Sequence, residues 1–240
     1  MMKKLVLLFA LCLLTQTIFG QEKKSVLLTK ALQQLNLKES QINLDLFAEK
    51  VIPNNNSQSI LLIPKYTTNE DDYMVMDAYV LIVDNTSGKI LYKNFESGAW
   101  VSDAMILSSL TIDTGLYILA DQKRAFGVRA NTHNMSGPNP FSTEELSLYL
   151  IENNKLNKIL NSFEVYSSNG EWDMKCAGES TTENSVITVD NQTKSNGLYN
   201  LKLKTDVEKL IRKPVKGNCQ SKTTKSQKNS VLKFNGKEYK

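Results

Sequence analysis

The chain has 240 residues, with 29 Lys and Arg against 25 Asp and Glu, one His and three Cys. A single His excludes chemistry that needs two imidazoles. A 41% hydrophobic and 22% charged composition excludes a disordered or low-complexity chain. The length allows one sizeable core or two small ones.

Residues 1–20 carry Lys3 and Lys4, then an apolar run from Leu5 to Leu14, then small or uncharged residues up to Gly20. This is the layout of a secretory signal peptide cleaved near Gly20, so the mature protein is expected to be secreted or periplasmic. Cys12 follows Leu11 inside the apolar run, where a lipid-anchored protein wants a small residue. No later stretch reaches 18 apolar residues, so no transmembrane segment is expected. Cleavage leaves Cys176 and Cys219. In an oxidising compartment two cysteines have one possible pairing. That bridge would close a loop of about 44 residues, for which chain entropy gives roughly 4 kcal/mol. The alternative is a free catalytic thiol served by His133.

Residues 21–56 read as a lead segment. Val26, Leu27, Ala31, Leu32 and Leu35 predict an amphipathic helix over 25–37, either capping the body or leading flexibly into it. Residues 57–240 read as one β-rich domain of short runs, among them 59–63, 74–83, 89–95, 110–113, 126–129, 146–151, 163–166, 186–189, 198–203 and 231–234. Turn signals separate them at Asn85-Thr86-Ser87-Gly88, Asn153-Asn154, Ser168-Asn169-Gly170, Ser195-Asn196-Gly197 and Asn235-Gly236. The expected fold is all-β, a duplicated β-meander that is propeller-like or a sandwich, with one short N-terminal helix.

The duplication is read from 77–130 and 147–212. Each copy starts at a Tyr (Tyr79, Tyr149) and runs through Ile-Leu to a Phe (Phe95, Phe163). Each then reaches a Gly-x-Trp ending at Trp100 or Trp172. Thr111-Ile112-Asp113 and Gly115-Leu116-Tyr117 match Thr188-Val189-Asp190 and Gly197-Leu198-Tyr199. The plainer reading is that β-hairpins resemble one another.

The segment 170–179 concentrates candidate chemistry. Glu171, Asp173 and Glu179 surround Trp172, and a glycosidase needs two carboxylates about 5–9.5 Å apart with an apolar wall raising one pKa. Alternation instead puts Glu171, Asp173 and Lys175 on one strand face, where a salt link accounts for them without catalysis. In 124–129, alternation puts Arg124, Phe126 and Val128 on one face and Arg129 on the other, unless Gly127 makes a bulge. The polar loop that follows holds His133, and such loops on a rigid frame often carry recognition. The candidate binding residues are therefore Arg124, Arg129, His133 and Trp172. Residues 192–197 resemble the start of a calcium loop, but Lys194 would repel the ion. No phosphate-binding Gly loop, HExxH or CxxC is present, so neither metal nor cofactor is expected.

Residues 202–240 carry 12 Lys and Arg against 3 acids. The tract suits an anionic surface, yet it lacks the aromatic interleaving of a nucleic-acid platform, so no nucleic acid is expected. Lysines guarding exposed strand edges are the simpler explanation.

The stretches RAFGVR (124–129), Asn139-Pro140, LSLYL (146–150), GEWDMKCAGE (170–179) and LKFNGKEY (232–239) are similar to stretches of secreted bacterial β-rich proteins. That resemblance implies an extracytoplasmic β body and no particular activity. GLYNL and FNGKEY also resemble the ends of FG-GAP-type propeller repeats, from which this chain departs by lacking their acidic calcium loop. An inhibitor of cell-wall lytic enzymes is one function such a fold serves. The functional expectation is an exported, non-enzymatic binding protein presenting loops to a protein or glycan of the cell envelope. The alternative is a carboxylate-based hydrolase of cell-wall glycan using Glu171, Asp173 and Glu179.

Overall fold

The structure, a computed structural model, describes residues 25–240; the signal-peptide reading and Cys12 lie outside the described residues. Strands make up 72% of it, against the roughly 20–25% of an ordinary domain, and the fold is all-β. One helix, α1 (Val26–Leu35), comes first and is followed by a 3-10 turn at Glu39–Gln41. Eleven antiparallel strands follow: β1 (Ala48–Ile52), β2 (Asn55–Glu70), β3 (Tyr73–Asp84), β4 (Ile90–Ser102), β5 (Ile106–Ala120), β6 (Lys123–His133), β7 (Phe141–Glu152), β8 (Lys155–Trp172), β9 (Gly178–Ser195), β10 (Leu198–Val215) and β11 (Asn218–Leu232). β1–β4 form one sheet in chain order, and β5–β11 form a second, also in chain order.

The helix caps the body. Ser25 Oγ accepts from the Leu28 amide at 3.0 Å, and Asn36 ends the helix in the left-handed region. Its apolar face, Leu28, Ala31 and Leu32, packs on Leu61, Ile63, Leu81 and Val83. The alternate residues Ile60, Leu62, Val80 and Ile82 face the second sheet and meet Leu110, Ile112, Phe126, Val128 and Tyr149 there. β2 and β3 are therefore buried on both faces, which is why they read as unbroken apolar runs. β1 falls within the stretch read as a lead segment, yet it pairs with β2 and belongs to the body.

The second sheet curls until β5 faces β9 and β10. The enclosed core holds Leu119, Leu146, Leu148, Leu150 and Leu201. The C-terminal segment plugs it. Phe234 and Tyr239 are buried, the Tyr239 amide donates to Ile159 O at 2.7 Å, and Tyr239 Oη donates to Tyr199 O at 2.6 Å. Past this core β9, β10 and β11 run on as a single layer. No residue of β10 after Leu203 is buried, and β11 is exposed from Asn218 to Val231.

Two expectations change. Ser168-Asn169-Gly170 is not a turn but the interior of β8, with Asn169 paired to both Phe141 and Thr181. Gly170 is there for space, because a Cβ would lie 2.7 Å from the Trp172 indole nitrogen. His133 is the last residue of β6 rather than part of the loop that follows.

The two copies of the proposed repeat do not keep one register. Tyr79 pairs with Phe95, whereas Tyr149 pairs with Lys158 and Phe163 with Leu146. Trp100 packs against the inter-sheet core, whereas Trp172 sits at the tip of β8 opposite Gly178. The two Thr-x-Asp pieces do share a role. Asp113 accepts from the Gly115 amide at 2.8 Å and Asp190 from the Gln192 amide at 3.2 Å, each holding a bulge that follows it.

Candidate functional site

In a meander every second turn lies at the same end. The turns β2–β3, β4–β5, β6–β7, β8–β9 and β10–β11 form a continuous rim at one end, and contacts along it can be followed. At one side a groove of about 740 Å³ lies between three of the turns, lined by Asp71, Asp72 and Asp103 together with Met74, Ile106 and Met135. The β6–β7 loop then runs beside the end of β8. Its two prolines donate nothing, but their carbonyls accept: Pro140 O from the Gly170 amide at 3.0 Å and Pro138 O from the Trp172 amide at 2.7 Å.

Trp172 lies over a strip of backbone without side chains. A Cβ on Gly178 would lie 2.5 Å from its ring, and one on Gly170 2.7 Å from its nitrogen. On the ring sits the Arg212 guanidinium, 5.5 Å from the centroid, a contact of roughly 0.5–1 kcal/mol at an exposed site. Asp173 folds the turn by accepting from the Lys175 and Cys176 amides, both at 2.8 Å. Those backbone donors hold its carboxyl below the usual range. Met174 is left 66% exposed at a positive φ of 61°, with its methyl against Gly137. The Cys176–Cys219 bridge, with Cα atoms 5.7 Å apart, ties this turn across the end of β10 to the start of β11. Trp172, Met174, Lys175, Arg212 and the bridge surround a depression of about 200 Å³.

The three candidate carboxylates are close in the chain but not equivalent. Glu171 and Glu179 are directly opposed on β8 and β9 and both are exposed. Glu179 is paired to Lys209 at 2.9 Å, and Asp173 is committed to its turn.

The four candidate binding residues are not brought together. Arg124 lies at the start of β6, a full strand length from His133 at its end. Arg129 faces away from Arg124, as alternation requires. It bridges Asp113, at 2.8 Å, and Glu144. Burial alone would raise the Asp113 carboxyl, but donors from Tyr117, Gly115 and Arg129 outweigh it and hold it low. Tyr117 in turn is pushed up to about 12 by burial and by that carboxylate. Arg129 is thus a structural tie. His133 is half-buried between Ile106 and Ser142. Of the four, Trp172 alone sits in the stapled tip. Met174 and Arg212, its partners there, were not singled out from sequence. The only signal for Arg212 was its place in the basic tract.

Among the described residues no group of His, Cys, Asp and Glu is placed to hold a metal ion, and no helix is long and apolar enough to cross a membrane. No protein-family model, curated protein or solved structure matches this chain.

Proposed function

We propose that the chain is an exported binding protein whose rim of turns, centred on the stapled tip around Trp172, engages a protein partner of the cell envelope. The observation that carries this reading is the tip itself. An exposed Met174 and a Trp172–Arg212 stack are held rigidly at the end of a single-layer sheet, with no core beneath them that needs them. Preorganised apolar and arginine side chains at a rigid surface are what interfaces use as anchors. The rim also changes sign along its length, from Asp71, Asp72 and Asp103 to Lys175 and Arg212, which suits an oriented protein surface. A glycan is the poorer match, because Arg212 covers one face of the indole and Gly170 and Gly178 lie under it. The hydrolase alternative has an opposed pair in Glu171 and Glu179. Both are exposed and one is salt-linked, so neither is held in the enclosed apolar setting that raises a catalytic acid.

The test is affinity capture from the native envelope fraction by the oxidised wild type and by two variants. Met174→Asp with Arg212→Glu should lose the partner, whereas Lys155→Glu at the far end of β8 should keep it. Equal capture by all three proteins would refute the reading.

A further inference from the structure

The core between the two sheets does not close at the end opposite the rim. A cavity of about 150 Å³ opens there, walled by Ile60 and Ile82 of the first sheet and by Phe126 and Ile151 of the second. Thr114 and Arg124 also line it. Arg124 shares the face of Phe126 and Val128, so its stem enters the inter-sheet space. Its Nη2 donates to Thr114 O at 2.9 Å, with Gly115 O at 3.5 Å, both carbonyls of the β5 bulge. These acceptors are neutral. Neighbouring cations are neutralised, Lys123 by Glu152 and Arg129 by Asp113 and Glu144. No carboxylate among the described residues lies within ion-pair distance of Arg124, and none of those residues accepts from its Nε or Nη1.

We infer that this cavity binds a small apolar carboxylate, a monocyclic aromatic or branched aliphatic acid, with its hydrocarbon between the sheets and its carboxylate on Arg124. A cavity of this volume accommodates a benzene-sized group. The guanidinium is a fork suited to a carboxylate at the mouth. The site lies at the other end of the molecule from the rim and does not depend on the function proposed for it. The same chemistry is offered by a free acid and by the terminal residue of a peptide.

Methyl and amide NMR titrations of the full protein test this with benzoate, benzamide and N-acetylphenylalanine. Benzoate should shift the methyls of Ile60, Ile82 and Ile151. Benzamide, which has the ring without the charge, should bind roughly tenfold or more weakly. Arg124→Gln should remove that preference. Because Arg124 also holds the β5 bulge, Ile151→Phe, at a wall position that is 37% exposed, serves as a second variant that fills the cavity, leaves Arg124 in place and should abolish benzoate binding. Tighter binding of N-acetylphenylalanine than of benzoate would assign the site to a chain terminus, and the reverse order to a free acid. Equal affinity of the wild type for benzoate and benzamide, or benzoate shifts that avoid the cavity methyls, would overturn the proposal.

Discussion

The β2–β3 and β10–β11 hairpins are built from strands of similar length and lie in opposite surroundings. In the first, Ile60 to Ile63 and Val80 to Val83 are all essentially inaccessible, alternating between helix and second sheet. In the second, neither face is covered past Leu203; β11 is mostly Lys, Thr, Ser, Gln and Asn, and the apolar Val207, Leu210 and Ile211 of β10 are left part-exposed or exposed. The first hairpin is held by removal of apolar area from water, at roughly 25 cal/mol per Å². The second is held by its backbone ladder, by cross-strand pairs such as Glu208–Lys225, by the Glu183–Lys228 pair that reaches over β10 from β9, and by one covalent bridge. Exposed ion pairs of that kind contribute little each, about 0–1 kcal/mol. A long strand therefore needs no core of its own when an adjoining one anchors its base.

Three perturbations probe that contrast. The largest effect should come from replacing both cysteines by Ser, which should lower the unfolding free energy by roughly 4 kcal/mol on the chain-entropy account. Hydrogen exchange should then quicken in the outer halves of β9–β11 and not in β2 or β3. Uniform quickening would show that the two hairpins are one cooperative unit. Next, Leu62→Ala should cost about 3 kcal/mol in urea denaturation, as a fully buried leucine does. Val186→Ala, at a site 53% exposed, should stay within about 0.5 kcal/mol. Comparable losses at the two sites would mean that the single layer packs on something in solution.

A pH-dependent effect concerns Asp113, whose folded carboxyl lies below its ordinary value. Stability from such a group is fully present above its unfolded pKa, about 3.9, and is lost as pH falls through the lower folded value. The wild type should therefore lose roughly 2 kcal/mol more than Asp113→Asn on acidification, the scale of hydrogen bonds to a charged group. Parallel pH curves for the two proteins would show that the carboxylate adds nothing net.

The sequence reveals the covered parts of this fold better than the uncovered ones. Runs at 59–63 and 74–83 were legible because burial on both faces leaves mostly apolar residues, Ser59 and Asp77 excepted. Asn153-Asn154 was legible because both residues take positive φ, 53° and 57°, which Asn tolerates. β11 showed only its end near Val231, since a strand wet on both faces carries no period-2 pattern. Ser168-Asn169-Gly170 misled for a related reason. Its Gly serves the Trp172 ring rather than a bend, and nothing local distinguishes the two uses. At the site, Cys176 and Cys219 were legible as the pair left once Cys12 is assigned to a signal peptide. The Trp172–Arg212 stack depends on registering strands about 40 residues apart, which no short-range pattern encodes.

In the outer stretch of β10 and β11, beyond Lys204, a slip by two residues would set Ser against Thr or Lys against Gln, and the apolar Val207, Leu210 and Ile211 are already part-exposed or exposed there. Hydrophobic patterning, which normally rejects misaligned strands, has little hold on that stretch. The Cys176–Cys219 bond has such a hold, because it closes where Pro214 meets Cys219 and Arg212 meets Gly178. A misaligned hairpin would be left with two reactive thiols. In an oxidising compartment the bond would then act as a proofreading step, and the absence of free thiol would mark a molecule whose outer strands have found their alignment.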